Sequence, residues 1–439
     1  MIKKLFKALI IILMIIGIVQ GVRIAVKRTF PDINLRKAEE KIVSQIQSNN
    51  AELLELYTYG KSLNIKGRLK RISKENIESV KLYLVDGLNY ERAFSLRYEI
   101  VDHDLIFESN LEMNNGIVLD KLENGSEYYL LLRLKLNNSI NPRYFSFDNV
   151  GNVSDINYYT VTADGKNRLA RIGFTEKSYQ KNEYSFLSIK LEDSTIPDDV
   201  YDIVIDAGHG GKDVGERNGK YTEADIALDY AYSLKDKLEE NGYKVKLTRT
   251  NENTDKYTYT NMYNEDGRIT VACESKAKLM ISLHVNNGAN VLNGLEIYCP
   301  SNSNLLFAKT MADKIKEKSS LNYSNGNNYK QTDGVYIRNF NKAEIAESNR
   351  SAEKKGYEPY NITEDTPYLY TIREVGGLAT NAYVDGRNKD YSKNEYYDSN
   401  QGIECYQVEL GYIKTDLDIL LSEKDKIVEG ICDAILEQY

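Results

Sequence analysis

Histidine and glutamate side chains are the groups in this sequence whose positions suit metal binding and catalysis. The chain contains three histidines, His103, His209 and His284. His209 follows an apolar run that ends in a glycine-rich stretch, and His284 lies near the end of a second apolar run. Two imidazoles and one carboxylate are typical ligands of a catalytic zinc ion, because they leave one coordination position open. Acidic residues near these histidines are therefore of first interest.

Two glutamates occupy positions that such a site requires. Glu223 begins a predicted helix, and Glu409 lies near the end of a late strand. Glu223 could join the histidines on the metal, and Glu409 could take a proton from a coordinated water, whose pKa zinc lowers from about 15.7 towards 7. Each residue alone also fits an ordinary structural role, such as a charge at a helix N-terminus or a buried histidine. Their joint placement favours the zinc site.

Alternating strands and helices position these residues. From residue 198 onward, buried apolar runs alternate with amphipathic segments, which predicts an α/β domain with a largely parallel sheet and flanking helices. Sites in such sheets lie at the carboxyl ends of the strands. The predicted strands are 200–208, 243–248, 279–285, 294–299 and 405–410, and the predicted helices begin near Thr222, at 303 and at 424.

Residues 60–197 show a different pattern. Short runs of alternating apolar and polar residues, such as YYLLLRLKL, are separated by Asn-Gly and other turn signals. This pattern predicts an all-β, sandwich-like domain. His103 lies here between two aspartates, and no neighbouring group suits it for chemistry. The domain is a candidate binding module for a polymer or for a regulatory protein partner.

The N-terminus predicts export. Lys3, Lys4 and Lys7 precede the uninterrupted apolar run Ala8–Val19. Residues 1–30 are therefore interpreted as a signal anchor or a cleaved signal peptide, and both alternatives remain open. The lysines favour an N-terminus inside the cell, so the protein would be membrane-anchored with its domains outside, or secreted. Residues 31–59 are predicted to form a helical stalk.

The composition narrows the possible functions. The 439 residues include 57 Lys and Arg against 65 Asp and Glu, which gives a net charge of −8. Because there is no basic excess to neutralise phosphates, nucleic-acid binding is not expected. Four cysteines without C-x-x-C spacing are too few for a disulfide scaffold. The sequence contains no P-loop, G-x-S-x-G or H-E-x-x-H motif, so it lacks the signatures of the commoner hydrolases and nucleotide-binding proteins.

Six segments carry a family resemblance. They are IVIDAGHGGKDVG (203–215), YTEADIAL (221–228), KLTR (246–249), ISLHVNN (281–287), GLEIY (294–298) and VELGYI (408–413). In this order they resemble the zinc-dependent N-acetylmuramoyl-L-alanine amidases of the amidase 3 type, over about residues 198–439. The resemblance implies that His209, Glu223 and His284 bind zinc and that Glu409 is the catalytic carboxylate. The implied reaction is hydrolysis of the amide between N-acetylmuramic acid and L-alanine in peptidoglycan.

Four further residues receive more local interpretations. Arg268, in GRITVAC, resembles an arginine of the family and is predicted to bind substrate. Asp206 and Asn286 flank the ligands and are predicted either to orient them by hydrogen bonds or to cap strand ends. Cys273 stands where the family commonly has Asn, and it is interpreted as a packing residue because no base lies beside it.

Residues 341–403 depart from the compact members of the family. A connection of this length is usually functional or disordered. It contains eight tyrosines in 341–400 and the segment YTIREVGGL. One hypothesis is a lid or substrate wall, in which Arg373 contacts a carboxylate of the stem peptide and Gly376-Gly377 forms a hinge. The alternative is a surface loop whose tyrosines pack on the domain.

Two other functions remain open from the residues alone. A zinc peptidase that cuts within the peptidoglycan stem peptide would use the same metal ligands. A non-catalytic wall-binding regulator would be expected to have lost a ligand or the carboxylate, and this chain keeps all four.

Overall fold

The structure is a computed structural model that describes residues 46–47, 50–72, 77–86, 91–109, 116–122, 127–161, 165–179, 182–253, 266–301, 303–356, 359–378 and 401–439. Contacts divide the chain into two compact units. The first unit consists of Met1–Glu55, Ile65–Ser109 and Asp120–Thr195, and the second of Leu56–Asn64, Asn110–Leu119 and Ile196–Tyr439. The predicted export segment, 1–30, lies outside the described residues. No helix in the described part of the chain is long and apolar enough to cross a membrane.

The described part of the N-terminal half of the chain consists mainly of strands, as its alternating pattern predicts. Antiparallel pairing joins successive strands of the first unit in the order β10-β11-β12-β7-β3-β4-β5-β2. The sandwich-like arrangement stays a prediction. The strands are β1 (Ala51–Tyr59), β2 (Ser62–Leu69), β3 (Ile77–Asp86), β4 (Glu91–Val101), β5 (Asp104–Ser109), β6 (Ile117–Val118), β7 (Glu127–Leu136), β8 (Arg143–Phe145), β9 (Phe147–Asn149), β10 (Ile156–Val161), β11 (Asn167–Tyr179) and β12 (Asn182–Asp193).

The predicted helical stalk at 31–59 is wrong over its last nine residues, which form β1. Leu53, Leu56 and Tyr59 of this strand are buried. The segment AELLELYTY contains good helix-forming residues, but tertiary packing overrides this weak local preference. Residues 31–45 of the predicted stalk lie outside the described part of the chain.

The second unit contains a seven-stranded mixed sheet with flanking helices. The strands from residue 203 onward, seven of which form this sheet, are β13 (Ile203–Ala207), β14 (Arg217–Asn218), β15 (Tyr221–Thr222), β16 (Val245–Leu247), β17 (Leu279–Asn286), β18 (Glu296–Tyr298), β19 (Lys330–Thr332), β20 (Val335–Tyr336), β21 (Gln401–Gly402) and β22 (Glu404–Tyr412). The helices are α1 (Glu223–Glu240), α2 (Arg268–Glu274), α3 (Leu305–Lys318), α4 (Lys342–Lys355), α5 (Tyr370–Val375), α6 (Leu417–Ser422) and α7 (Lys424–Gln438).

The sheet order is β16-β13-β17-β22-β18-β20-β19. The first four of these strands are parallel, as predicted, whereas β18 runs antiparallel to β22 and β19 antiparallel to β20. The β13, β17 and β22 strands therefore bring their carboxyl ends to one edge of the sheet. His209, His284 and Glu409 lie at or just after these ends.

Local signals place the first helix. Thr222 caps α1, because its hydroxyl oxygen accepts a hydrogen bond from the Asp225 N–H at 3.1 Å. The apolar stripe of the helix, which includes Tyr230, Leu234 and Leu238, is buried against the sheet. Burial of such side chains contributes about 1.5–3 kcal/mol each and fixes the rotation of the helix. Glu223, the first residue of α1, is thereby held at the edge of the sheet where the strands end.

The second unit extends beyond the predicted boundary at 198. Thr58 and Tyr59 pair in parallel with Gln401 and Gly402 of β21. The ring of Tyr59 is 3% exposed, and the Gly60 N–H donates to the Gly402 carbonyl at 3.0 Å. The end of β1 and the start of β2, within residues 56–64, thus belong to this unit. The sequence placed residue 58 in a predicted helix, so neither this strand nor its pairing with β21 was predicted.

Candidate active site

Three side chains predicted to bind zinc converge in the structure. The Glu223 Oε1 atom lies 3.0 Å from His209 Nε2 and 3.0 Å from His284 Nδ1. One potential ligand atom from each residue lies within 4.8 Å of the other two. Two imidazole nitrogens and one carboxylate oxygen fit the donor set of a catalytic zinc site. The chain therefore presents a cluster suited to zinc, with Glu223 between the two histidines.

The backbone around the cluster allows the ligands to approach closely. A Cβ atom at Gly208 would lie 2.4 Å from His284 Cε1, so only glycine leaves space for this imidazole. Gly215 has a φ of +63°, and a Cβ there would lie 2.5 Å from Glu223 Oε2. His209 itself adopts a φ of +59°, a conformation uncommon for residues other than glycine and associated with functional sites. The glycine-rich stretch thus serves close packing around the ligands.

Asp213 orients His209. Its Oδ2 atom lies 2.9 Å from His209 Nδ1, on the opposite side of the ring from the nitrogen that faces Glu223. A carboxylate at this position holds the proton on Nδ1 and leaves the Nε2 lone pair for a metal. The sequence analysis did not select Asp213 as a site residue. Its spacing of four residues from His209 in a tight loop is the signal that could have identified it.

Replacement of Asp213 with asparagine is expected to lower zinc affinity by about 10- to 100-fold, the usual cost of losing an outer partner of a metal-binding histidine. The measurement is zinc binding by competition with a chromophoric chelator. Asp229→Asn is the matched control, because Asp229 is an exposed aspartate of α1 that pairs with Lys424. Equal zinc affinities in the two variants would exclude the orienting role.

Backbone amides hold Glu223 in place. The Val285 N–H donates to Oε1 at 3.0 Å, and the Glu216 N–H donates to Oε2 at 3.2 Å. Burial alone would raise the pKa of Glu223, but the two histidines lower it far below its usual value. Burial likewise opposes protonation of His209, yet Glu223 and Asp213 raise the pKa of His209 overall. Glu223 is therefore an anion in the folded protein.

Glu409 lies beside this cluster. It is the register partner of His284 in the parallel pair β17–β22, and it is 9% exposed. Gln407 Nε2 donates to its Oε1 at 2.8 Å, the single hydrogen bond to this carboxylate from the described residues. Burial, together with the negative charge of Glu223, raises the pKa of Glu409 to about 7 despite the opposing effect of His284. A carboxyl group with this pKa can exchange protons near neutral pH.

Asp206 and Arg268 form a buried pair beneath the site. Arg268 Nη1 lies 3.0 Å from Asp206 Oδ1, and Arg268 Nη2 donates to the His209 carbonyl at 2.6 Å. The substrate-binding role of Arg268 stays a prediction, and in the structure its guanidinium is 6% exposed and bonds to these partners. Asp206 acts on the site through Arg268 and not by a direct bond to a ligand side chain. Burial would raise the pKa of Asp206, but Arg268, Thr248 and Ser282 lower it.

Arg249 donates hydrogen bonds to the backbone just before His209 and just after Glu223. Its Nε donates to the Ala207 carbonyl at 2.8 Å, and its Nη2 donates to the carbonyls of Gly208 and Ala224 at 2.9 and 2.7 Å. These residues directly precede His209 and follow Glu223. The KLTR segment was part of the resemblance, but the role of Arg249 could not be read from it, because the acceptors are backbone carbonyls distant in sequence.

Asn286 and Arg373 both bond to other groups of the protein. The Asn286 side chain donates to Glu296 Oε2 at 3.0 Å, and its Oδ1 accepts from the Asn287 N–H at 2.8 Å, which is compatible with the predicted alternative of a cap at the strand end. Arg373 is buried, and its Nε donates to Tyr360 OH at 2.7 Å and to Glu374 at 2.9 Å. A contact between Arg373 and a stem-peptide carboxylate stays a prediction, and in the structure the guanidinium bonds to groups of its own segment. Residues 379–400 lie outside the described part of the chain.

Cys273 is partly buried and packs against an apolar cluster. Burial raises the pKa of its thiol far above the usual value, which disfavours the reactive thiolate. The interpretation of Cys273 as a packing residue is consistent with these surroundings.

The mixed sheet and the His–Glu–His cluster define an α/β domain with a candidate metal site. Residues 203–352 match the family model of the N-acetylmuramoyl-L-alanine amidases, amidase 3 type. This match confirms, for this region of the chain, the resemblance found in the sequence. The matched region includes the three predicted ligands and ends within α4, and Glu409 lies beyond it.

Two curated relatives come from Bacillus subtilis. The N-acetylmuramoyl-L-alanine amidase LytC is 28% identical over 141 residues, which are 32% of this chain and 27% of the relative. The germination-specific N-acetylmuramoyl-L-alanine amidase is 36% identical over 90 residues, which are 19% of this chain and 38% of the relative. The chain thus spans only about a quarter to two fifths of the length of these two relatives.

Among solved structures, the amidase AmiC2 of Nostoc punctiforme aligns with 54% of this chain and 94% of its own, at 21% identity and a TM-score of 0.34. The catalytic domain of CwlV from Bacillus (Paenibacillus) polymyxa aligns with 54% and 97%, also at 21% identity and a TM-score of 0.34.

Proposed function

We propose that this protein is a zinc-dependent amidase that hydrolyses the bond between N-acetylmuramic acid and the L-alanine of the stem peptide in peptidoglycan. The observation that carries the proposal is the convergence of His209, Glu223 and His284 within the region that matches the amidase family. Glu409, in register beside His284, adds the carboxylate that the reaction requires.

The cluster has the properties of a binding site for zinc. Bound zinc would polarise the scissile carbonyl and lower the pKa of water. Glu223 supplies a permanent negative charge, because its neighbours hold its pKa low. Asp213 keeps the His209 proton on Nδ1, so Nε2 is available as a ligand atom. The cluster thus offers two imidazole nitrogens and one anionic oxygen as potential ligand atoms.

Glu409 is proposed as the general base and acid. As a carboxylate it would take the proton of the attacking water, and as a carboxylic acid it would give that proton to the leaving amine of L-alanine. The raised pKa of Glu409 suits both steps, since a pKa of about 7 lets the same group accept and release a proton near neutral pH. The hydrogen bond from Gln407 fixes one oxygen, Oε1, which leaves Oε2 for the transferred proton.

The pH dependence of the reaction follows from Glu409. Because the base must be ionised, kcat/KM is expected to fall as the pH is lowered through the pKa of Glu409. A bound zinc cation favours the carboxylate, so this acidic limb is expected at or below about pH 7. The measurement is kcat/KM between about pH 5 and pH 8, with zinc content followed in parallel because ligand protonation releases metal. An unchanged kcat/KM across this range with full zinc would contradict the assignment.

The proposed activity can be tested by removing and restoring the metal. Purified full-length protein is incubated with peptidoglycan, and the stem peptides that it releases are measured before and after treatment with a chelator. The expected result is loss of release with the chelator and recovery on addition of zinc. Release that persists in the metal-free protein would overturn the zinc-dependent mechanism.

We also propose that the enzyme acts outside the cytoplasmic membrane. The basic residues Lys3, Lys4 and Lys7 followed by the apolar run Ala8–Val19 support export, with the N-terminal segment as anchor or cleaved signal. Peptidoglycan is the proposed partner in either case. The strand-rich N-terminal unit is the proposed site for a regulatory protein or wall polymer, since it contributes none of the catalytic side chains.

A further inference from the structure

A second buried carboxylate lies next to the proposed base. Glu296 of β18 is 3% exposed and is the register partner of Glu409 in the antiparallel pair β18–β22. Glu409 is in turn the register partner of His284 in β17. Side chains at matched positions of neighbouring strands lie about 5 Å apart on the same face of the sheet. Glu296, Glu409 and His284 therefore form one row across three strands.

The two carboxylates in this row have different surroundings. Glu296 Oε1 accepts hydrogen bonds from Ser324 Oγ at 2.6 Å and Tyr412 OH at 2.7 Å. Its Oε2 accepts from Asn286 Nδ2 at 3.0 Å and Tyr298 OH at 2.8 Å. A carboxylate has about four lone-pair sites, and these four donors occupy them all. Glu296 thus has no acceptor site left for a substrate group, whereas Glu409 receives one donor from the described residues.

The surroundings of Tyr298 and Tyr412 keep their hydroxyl groups protonated, so that both donate hydrogen bonds to Glu296. Burial and the negative charge of Glu296 raise the pKa of Tyr298 and of Tyr412 well above the usual tyrosine value. Both hydroxyl groups therefore keep their protons and donate them. The loop that carries Ser324 is packed closely here, because a Cβ at Gly326 would lie 3.2 Å from Glu296 Oε1.

The hydrogen bonds of Glu296 join the ends of the two strands that supply His284 and Glu409. Asn286 and Tyr412 face each other as the last paired residues of β17 and β22. The pairing of these strands shifts between His284 and Asn286, an irregularity of the kind that re-aims side chains next to active sites. Val285, at the shift, donates its N–H to Glu223. Glu296 holds both strands directly beyond this irregularity.

We propose that Glu296 is a positioning residue that fixes His284 and Glu409 relative to each other by joining the ends of β17 and β22. This inference rests on the proposed amide hydrolysis. Glu296 contacts neither the metal ligands nor the reacting atoms. Small displacements in such a site have large kinetic effects, because a misplacement of about 1 Å can lower the rate by about 100-fold.

The test uses full-length protein with the single variants Glu296→Gln and Tyr412→Phe. Glutamine keeps the shape of Glu296 but presents an N–H₂ group where the carboxylate accepts two hydrogen bonds, and phenylalanine removes one donor. We expect kcat on peptidoglycan fragments to fall by about 10- to 100-fold, with KM within about twofold and zinc content unchanged. Tyr230→Phe is the control, since Tyr230 is a buried tyrosine that donates to the Leu420 carbonyl, away from this network. The control is expected to lower the unfolding temperature without a change in kcat.

A second comparison separates positioning from general stability. Glu296→Gln is combined with Glu409→Gln, and the residual rate is compared with that of Glu409→Gln alone. If Glu296 acts through Glu409, the added substitution is expected to change the residual rate by less than about twofold. A loss as large as in the native background would overturn the proposal, as would unchanged kcat in both single variants of an active enzyme. Absence of stem-peptide release by the unsubstituted protein would instead overturn the proposed function and, with it, this inference.

Discussion

Glu409→Gln is expected to lower kcat by about 10³-fold while the protein retains its zinc. General acid–base groups contribute about 10²- to 10⁴-fold, and here one carboxylate would serve in both proton transfers. Glutamine has the same shape as glutamate but cannot accept a proton in this pH range. Gln407 can still donate to its side-chain oxygen, so the local packing is preserved. The measurements are kcat on peptidoglycan fragments and zinc content of the same preparation.

The matched control for this substitution is Glu404→Gln. Glu404 is also a buried glutamate of β22, but it lies at the opposite end of the strand, where the Asn304 N–H and the Tyr406 hydroxyl donate to its Oε1. The control is expected to reduce stability and to leave kcat unchanged. If Glu409→Gln were as active as this control, the catalytic base would lie elsewhere.

Glu223→Ala is expected to abolish stoichiometric zinc binding. The substitution removes one of three ligands and also the anion that both histidines face at 3.0 Å. Loss of an outer partner alone costs about 10- to 100-fold in metal affinity, so loss of a direct ligand is expected to cost more. Because metal binding also stabilises the folded state, addition of zinc should raise the unfolding temperature of the native protein and not that of the variant.

Zinc content after dialysis, determined by elemental analysis, checks this expectation. Glu239→Ala serves as the control, because Glu239 lies in the last turns of the same helix, α1, and forms an exposed pair with Lys235. A full complement of zinc in Glu223→Ala would remove Glu223 from the ligand set. Loss of zinc in the control as well would indicate that α1, and not the ligand, had been disturbed.

The sequence was sufficient to predict the ligand cluster because each ligand follows a strong local signal. The buried strands before His209 and through His284 are continuous apolar runs, and Thr222 caps the helix that begins at Glu223. Parallel strands bring their carboxyl ends together, so residues far apart in sequence could be placed at one edge.

Other parts could not be predicted because they depend on tertiary contacts. Arg268 was predicted to bind substrate because it resembles an arginine of the family, and Arg373 because arginine often pairs with carboxylates. In the structure Arg268 pairs with the buried Asp206, and Arg373 bonds to Tyr360 and to carbonyls of its own segment. Nothing in the local pattern distinguishes a buried arginine from one that faces a substrate. The strand at Ala51–Tyr59 was missed for a related reason, because its pairing with distant residues outweighs its local helix preference.

The most direct test of the proposed activity is the identity of the product. Purified full-length protein with zinc is incubated with intact peptidoglycan, and the soluble products are analysed by mass spectrometry and by labelling of new amino termini. The account predicts intact stem peptides with a free L-alanine amino terminus and glycan chains without peptides. Products cut within the stem peptide, with L-alanine still attached to N-acetylmuramic acid, would contradict it and identify a peptidase.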